Sequence, residues 1–587
     1  MSKFITILAA VAATAFSFCS CSEKENDLDG DQSKKSDGIA DYTIIYWGMT
    51  GKLDAYVSID LFNLACNYYN NKANSSVQFV GLVKTSLELA EDDNTGANKG
   101  FDKTYYFETG NCNADDFGKI DGNSLTKTKE IYEAAFTYFN AKEFADKEYD
   151  MASVNNIAEF IKNAAKTHPA RHYVFMTFGH GGGFYLSDET PIPAASTRGF
   201  VYDEYNEGKS ISADAFVKAV QQSGVKIQTL VTNSCLMATL ENMAAYAQCV
   251  DYLLASDESI YPGVSAQYPV LLTNAGDNEQ NMISNSKAYV DHCVNTWSKW
   301  YTSYGFYDLK QMPQLMATVK DASNWYNTNY AKFQDQIDNA LMKATSVVDI
   351  DEATKRATVQ QLRSSRIFLQ DLAFNDDFSK KYGEMDIEEL VDRAVESMRS
   401  LSETLQPYGF VFADVMKKTL EEADGKNTSD GFKTAVATLK PIYEAYMTQL
   451  KTMAYINSTK KPSTATESFP YEHTSPSIHV FAMNEKYFTG LPGASSSKKS
   501  TVDSKVQELK TLLRSSKEED KKKAVEVMEY LFGGTPIANQ ISLTTAETNY
   551  TNSVFDREVS WNKFLSQLDT NPSIMFNPDH EQLTTGK

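Results

Sequence analysis

Short runs of β-forming apolar residues alternate with helical patterns along the first half of the chain. Most of these runs are apolar at successive positions. A strand of this kind is typical of the centre of a parallel sheet that helices cover on both faces. We therefore predict an α/β fold with a mostly parallel sheet flanked by helices. The predicted strands are Tyr42–Trp47, Val77–Val83, Tyr173–Phe178, Ile227–Thr232 and Tyr252–Ser256.

The pattern changes after residue 282. Residues 283–460 show long helical patterns with almost no strand signal, which indicates a helical insertion or bundle packed on the sheet. The sheet domain then corresponds to residues 41–282, and we expect residues 461–587 to complete the sheet and the core. The late elements predicted there are strands at Ser477–Met483 and Ile541–Thr545 and an amphipathic helix at Val559–Leu568.

Residues 1–20 have the pattern of a secretory signal peptide. Lys3 precedes an apolar stretch that ends at Phe18 and is too short to span a bilayer. Ser20 is a small residue in front of Cys21, and the acidic tract SEKEND follows the cysteine. This arrangement resembles bacterial lipoproteins, and the tract resembles the surface-export signal of Bacteroidetes lipoproteins. The resemblance implies that Cys21 is lipidated and anchors the protein to the bacterial outer membrane at the cell surface.

The composition predicts a short tether followed by a folded, acidic protein. Residues 21–40 are polar and charged without an apolar period, which is typical of a flexible tether. The formal net charge of −21 argues against nucleic acid or anionic lipid as a partner, so we expect membrane contact through the lipid anchor only. A hydrophobic content of 42% is sufficient for a large core.

Besides Cys19 and Cys21 at the signal and lipidation site, the chain has five cysteines. An odd number of cysteines without a CxxC pair argues against a zinc site or a disulfide framework. A single disulfide bond between two of these cysteines stays an open alternative. The histidines have no partners at ligand spacing, so we predict no metal site of that kind.

Two of the predicted strands end at reactive side chains. His180 follows Tyr173–Phe178 after one glycine, and Cys235 follows Ile227–Thr232 after two polar residues. If these strands are parallel neighbours, both side chains leave the sheet at the same edge, as a thiol–imidazole dyad requires. The separation of 55 residues is similar to that in caspases, where the histidine lies about 50 residues before the cysteine.

The residues beside this pair have chemistry that suits a nucleophilic thiol. Strong helix formers follow Cys235, so we expect its sulfur near a helix N-terminus, where the thiolate is stabilised. The glycines after His180 allow a substrate backbone to approach closely. We expect the backbone N–H groups of Gly181 and Cys235 to point at a developing oxyanion.

The same segments resemble the clostripain family of cysteine peptidases, which has a caspase-like α/β fold. The matching blocks are FGHGGGF at 178–184, Arg198-Gly199-Phe200 with the acidic Asp203-Glu204, NSCLMATLEN at 233–242, ASDESIYPG at 255–263 and the block around Trp561. The resemblance implies that His180 and Cys235 are a catalytic dyad. It also implies an endopeptidase that forms an acyl-enzyme on the cysteine and acts on peptide or protein substrates.

One position departs from the family pattern. The residue two before the cysteine is usually an aspartate that receives an Arg or Lys side chain, and here it is Asn233. A charge-assisted hydrogen bond is about twice as strong as a neutral one, so we expect a weakened preference for Arg or Lys. Asp257 and Glu258 supply the missing charge if they face the pocket, and are otherwise solvated loop acids.

The resemblance also implies self-processing in the loop after His180. The segment Ser187–Ser196 has the proline and small polar residues of an exposed, cleavable loop, and Arg198 or Lys209 is the expected basic residue at the cut. No cofactor is required by this chemistry. Some family members use calcium, which an acidic surface is able to bind, but no DxDxDG loop occurs in the sequence.

Two other functions stay open at this point. A catalytically degenerate relative would keep the caspase-like fold and hold a peptide without cutting it. A nutrient-capture lipoprotein would instead bind its ligand with the helical region, so that its binding would not depend on Cys235.

Overall fold

The computed structural model describes residues 39–569 apart from 52, 71–75, 90–97, 182–199, 204, 207–208, 236, 257–259, 261–265, 297–302, 345–390, 393–408, 426–427, 459–478, 482–498, 516, 518, 525–526 and 528–552. The predicted signal segment and tether therefore lie outside the described residues, except for the last two positions of the tether. Among the sequence-predicted features, Cys21, the loop Ser187–Ser196, Arg198, Asp257, Glu258 and the strand Ile541–Thr545 also lie outside the described residues.

Most of the strands join a single large sheet. In chain order, the strands within the described residues are β1 (Ala40–Met49), β2 (Val77–Lys84), β3 (Lys103–Glu108), β4 (Lys142–Asp146), β5 (Ala170–Phe178), β6 (Phe200–Asp203), β7 (Lys209–Ile211), β8 (Ile227–Asn233), β9 (Val250–Ala255), β10 (Ser303–Asp308), β11 (Gly409–Val411), β12 (Ala454–Ser458) and β13 (His479–Phe481). The nine-stranded sheet has the order β12-β10-β9-β8-β5-β1-β2-β3-β4. Two small sheets pair β6 with β7 and β11 with β13.

The centre of the large sheet is parallel. The five strands β2, β1, β5, β8 and β9 are joined by parallel pairings, and antiparallel strands extend the sheet at both edges. These five are the strands predicted from the apolar runs, and the predicted α/β fold is confirmed. Parallel strands place their carboxyl ends at one edge, where ligand sites of open α/β sheets form.

Helices cover both faces of the sheet. Within the described residues they are α1 (Asp54–Asn70), α2 (Ala114–Phe117), α3 (Thr128–Phe139), α4 (Val154–Thr167), α5 (Ala213–Ser223), α6 (Leu240–Tyr246), α7 (Gln267–Thr273), α8 (Glu279–Thr296), α9 (Met312–Asn329), α10 (Gln334–Lys343), α11 (Phe412–Glu422), α12 (Asp430–Met453), α13 (Lys499–Leu513), α14 (Val554–Val559) and α15 (Trp561–Asp569). None of the helices described here combines the length and the apolar character needed to cross a membrane.

Burial on both sides of β1 explains its nearly continuous apolar sequence. Ile45 and Trp47 pack into a core shared with α4, α5, α6, α9–α12, α14 and α15. Ile44 and Tyr46 point the opposite way, into a core with α1, α3, α7 and α8. Successive residues of a strand face opposite sides, so a central strand in a covered sheet is apolar at every position.

The helical region contributes strands that its sequence pattern did not indicate. β10 and β12 come from residues 283–460 and form one antiparallel edge of the large sheet. The sequence of β10, SYGFYD, is short and contains a glycine and polar residues, so its apolar period is weak. The helices of this region otherwise pack against the sheet as expected.

The C-terminal part adds to the core, but its described strand does not join the large sheet. The predicted late strand is present as β13, which pairs with β11 instead. The predicted amphipathic helix is present as α15, and its Trp561 is fully buried against the rings of Tyr326 and Phe412. Deleting a buried aromatic ring of this size costs about 3–5 kcal/mol in general, so α15 contributes substantially to the core.

Candidate active site

The register of β5 and β8 brings the two reactive side chains to neighbouring strand ends. The strands are parallel neighbours, and Phe178 pairs with Asn233. His180 and Cys235 each lie two residues beyond this pair. Both residues therefore leave the sheet at its carboxyl edge from adjacent strands.

The backbones of the two strand ends are in direct contact. A Cβ atom at Gly181 would lie 2.7 Å from the nitrogen of Cys235 and closer still to its carbonyl oxygen. Gly179, on the other side of His180, has a φ of 154°, which L side chains rarely adopt. Glycine on both sides of His180 thus permits the close approach of the two segments.

A backbone carbonyl from a third strand end orients the imidazole. His180 is exposed at the sheet edge, and its Nε2 lies 2.8 Å from the oxygen of Gly51, just after β1. A carbonyl oxygen only accepts, so Nε2 carries the hydrogen and donates it. In the neutral ring Nδ1 then keeps its lone pair and is able to act as a base.

The sulfur of Cys235 is contacted by the segment that follows β9. The Ile260 N–H donates to Sγ at 3.3 Å, and Sγ lies 3.7 Å from the Ile260 oxygen. An N–H donor stabilises a thiolate more than a thiol, because hydrogen bonding to the charged form favours that form. None of the five cysteines in the described part of the chain forms a disulfide.

The expected position of Cys235 at a helix N-terminus is wrong. The next helix, α6, begins at Leu240, and its N-cap Thr239 accepts a hydrogen bond from the N–H of Asn242. The preceding residues run beside the end of β9, where the Ala238 N–H donates to the Ser256 oxygen at 2.8 Å. The helix dipole acts only within the first turn, so the local donor to the sulfur is the Ile260 N–H.

Asn233 is the last residue of β8 and lies two residues before Cys235. It is 3% exposed, and its Oδ1 accepts a hydrogen bond from the Tyr289 hydroxyl of α8 at 3.2 Å. Its Nδ2 is buried, without a hydrogen-bond partner among the described residues. A buried amide group in this state keeps hydrogen-bonding capacity for a ligand.

The β6–β7 hairpin is anchored to the carboxyl edge of the sheet. Asp203 and Lys84 form a buried ion pair of 2.7 Å, and the Met151 N–H donates to the same carboxylate. Lys209 begins β7 and pairs with Asp150 at 3.1 Å. Of the two predicted processing residues, Lys209 therefore lies in a paired strand, and Arg198 lies outside the described residues.

Two of the groups at this edge were not anticipated from the sequence. The Gly51 carbonyl and the Ile260 N–H belong to the backbone, so no residue type marks them. The signal that could have located them is their position after β1 and β9, at the carboxyl edge of a parallel sheet. In the described part of the chain, no group of three or more His, Cys, Asp or Glu side chains is arranged to hold a metal ion.

Comparison with models of protein families gives a match over most of the chain. The sequence model of the clostripain family matches residues 49–472. No curated protein is significantly similar to the chain in sequence.

Similar solved structures have low sequence identity. A secreted C11 cysteine protease from Bacteroides thetaiotaomicron, iotapain, is 13% identical with a TM-score of 0.40, covering 76% of this chain and 93% of that chain. An inactive zymogen C11 protease from Parabacteroides distasonis is 12% identical with a TM-score of 0.40, covering 75% and 92%. A secreted C11 cysteine protease from B. thetaiotaomicron with an irreversible peptide inhibitor is 14% identical with a TM-score of 0.33, covering 48% and 70%.

The contact between Gly181 and Cys235 predicts that no side chain is tolerated at position 181. We expect Gly181→Ala to lower the free energy of unfolding by about 1–3 kcal/mol, because the backbone of Cys235 must move. The moved thiol should also react more slowly with iodoacetamide. Urea unfolding and peptide-resolved mass spectrometry measure the two effects. Gly110→Ala is the control, because a Cβ there meets only a glutamate oxygen at 3.9 Å. Equal behaviour of the two variants would contradict the prediction.

Proposed function

The chain belongs to the clostripain family, and from this premise we propose that it is a cysteine endopeptidase with His180 and Cys235 as its catalytic dyad. The observation that carries the proposal is the paired register of β5 and β8, which takes both residues to one sheet edge with their backbones in contact. The thiol is the nucleophile and the imidazole is the general base.

The hydrogen bond to Gly51 supports a specific proton path. Because Nε2 donates to the carbonyl, Nδ1 receives the proton of the Cys235 thiol. The thiolate attacks the peptide carbonyl, and the protonated imidazole then gives its proton to the leaving amine. Water, deprotonated by the same imidazole, hydrolyses the resulting thioester and releases the second product. The Ile260 N–H stabilises the thiolate before the attack.

The oxyanion of the tetrahedral intermediate needs donors next to the sulfur. We assign this role to the backbone N–H groups of Gly181 and Cys235, which belong to the two touching segments. Each preorganised donor of this kind contributes about 2.7–4 kcal/mol to catalysis in general.

The substrate pocket is proposed to keep a weakened preference for Arg or Lys. Asn233 presents a neutral amide where the family usually has a carboxylate, so it supplies hydrogen bonds without a charge. Asp257 and Glu258 follow β9, the strand beside β8, and are our candidates for the missing charge.

Self-processing is proposed at Arg198 rather than Lys209. Cleavage after Lys209 would require opening of the β6–β7 hairpin and loss of the ion pair with Asp150. A site within paired strands is cut less easily, because a protease binds its substrate in an extended form that strand pairing keeps from it. Calcium is a candidate regulator of this step and is not required for the dyad chemistry.

A peptide-library digest tests the proposed dyad. We expect the wild-type mature protein to cleave peptides, and we expect Cys235→Ala and His180→Ala to lose at least a thousandfold in rate, because each removes a member of the nucleophile–base pair. Mass spectrometry of the same samples should show a cut after Arg198 in the wild type alone. Cys249→Ala is the matched control, since that cysteine lies beside α6, away from the sheet edge.

Two outcomes of this digest would contradict the proposal. Cleavage that survives Cys235→Ala would assign the activity to another group. Absence of cleavage, together with peptide binding that does not change in Cys235→Ala, would identify a degenerate peptide-binding relative instead.

Because Asn233 stands where the family usually has an aspartate, we predict that one substitution at this position changes the substrate specificity. Asn233→Asp should raise the preference for Arg or Lys over neutral residues at the cleavage position by roughly tenfold, because a charge-assisted hydrogen bond replaces a neutral one. Fluorogenic substrates that differ only at this position measure the ratio. A wild type that prefers neutral residues, or an unchanged ratio in Asn233→Asp, would argue against a role for this position.

Localisation on the outer membrane is proposed from the N-terminal sequence. If Cys21 carries the lipid, Cys21→Ala should move the protein from the membrane fraction to the soluble fraction, because acyl chains contribute about 0.8 kcal/mol per buried methylene. Fractionation and protease accessibility of intact cells measure this. Cys19→Ala is the control, and an equal effect of both substitutions would refute the assignment.

A further inference from the structure

The carbonyl that receives His180 lies in a tightly held turn between β1 and α1. Gly51 has a φ of 50°, in the left-handed region. The Leu53 N–H donates to the Thr50 oxygen at 2.8 Å, and the Thr50 N–H donates to the Lys84 oxygen at the end of β2. The direction of the Gly51 carbonyl is therefore set by how this turn is attached to the sheet.

A buried carboxylate attaches the turn to two other elements. Asp54, the first residue of α1, is only 4% exposed. Its oxygens accept hydrogen bonds from the Ser86 hydroxyl at 2.6 Å, the Ser86 N–H at 3.2 Å and the Tyr132 hydroxyl of α3 at 3.0 Å. The hydroxyls of Thr50 and Ser86 are 2.7 Å apart, which joins the start of the turn to the same network.

The polar neighbours of Asp54 are hydrogen-bond donors, which favour the charged form of its carboxyl group. Each of these neighbours donates to the carboxylate, and the N-terminus of α1 favours a negative charge. Burial raises the pKa of Asp54 above its usual value, and the hydrogen bonds from Ser86 and Tyr132 offset part of this rise. An N-cap residue needs only its own helix amides, whereas Asp54 binds groups that are 32 and 78 residues away in the chain.

We propose that Asp54 is a positioning residue for the imidazole of His180. Through Ser86 and Thr50 it holds the β1–α1 turn so that the Gly51 carbonyl accepts the Nε2–H of His180, which keeps Nδ1 available to the thiol. This inference rests on the proposed dyad. It adds a network of four buried side chains, Thr50, Asp54, Ser86 and Tyr132, none of which is assigned a part in the reaction itself.

The pH dependence of Cys235 alkylation tests the proposal. Thr50→Val removes one hydroxyl without changing shape, and Asp54→Asn removes the charge. The Gly51 carbonyl, when held in place, stabilises the protonated imidazole of His180. The positive charge of that imidazolium in turn stabilises the thiolate of Cys235. We therefore expect both variants to shift the alkylation curve by about one unit to higher pH, which is roughly tenfold slower reaction at pH 6. Iodoacetamide and peptide-resolved mass spectrometry give the rate for Cys235 alone.

Two further variants separate positioning from stability. Thr43→Val removes a buried hydroxyl at the opposite end of β1, where Thr43 donates to the His168 oxygen. It should lower stability and leave the alkylation curve unchanged. Thr50→Ser keeps the hydroxyl and should restore the wild-type curve. If Asp54→Asn does not fold, the comparison of Thr50→Val with Thr50→Ser decides the question.

The outcomes distinguish this proposal from the proposed function. Curves for Thr50→Val and Asp54→Asn that coincide with that of Thr43→Val would overturn the positioning role. An alkylation curve that does not change in His180→Ala would contradict the proposed dyad, and the positioning role would then be contradicted as well. A curve that shifts as expected in a protein that cleaves no peptide would support positioning and contradict only the endopeptidase activity.

Discussion

The close backbone contact between the end of β5 and the end of β8 is the constraint on which the rest of the site depends. Parallel pairing of these strands places Phe178 opposite Asn233, and the chains then touch at Gly181 and Cys235. Only a residue without a Cβ fits at the contact. The positions of the histidine and the cysteine thus follow from strand pairing, because each residue lies only two positions beyond the paired strand ends.

The two backbone groups that contact this pair come from the strands on either side. β1 lies next to β5 and supplies the Gly51 carbonyl, and β9 lies next to β8 and is followed by Ile260. Four consecutive strands therefore contribute at one edge. Burial of both faces of the sheet fixes the strand positions, and the buried hydrogen bonds of Asp54 then fix the direction of a single carbonyl.

Asn233 is neutral, so it offers hydrogen bonds to a ligand without placing a charge in a buried position. A carboxylate at this buried position would have to be desolvated in the absence of substrate, which is costly unless a partner is present. An amide avoids that cost and shares its oxygen with Tyr289. Under the proposed function, an amide would bind a basic side chain more weakly than a carboxylate, so family membership and the nature of the pocket have to be judged separately for this chain.

The sequence by itself determined the α/β class, the five central strands and the two candidate reactive residues. Strands buried on both faces need apolar residues at every position, and this leaves a visible mark in segments such as Tyr173–Phe178. Tertiary structure alone decided the start of α6 at Leu240, the pairing of β13 with β11, and the use of Gly51 and Ile260. Strand pairing depends on distant partners, and backbone donors and acceptors occur at nearly every residue, so neither leaves a local signal in the sequence.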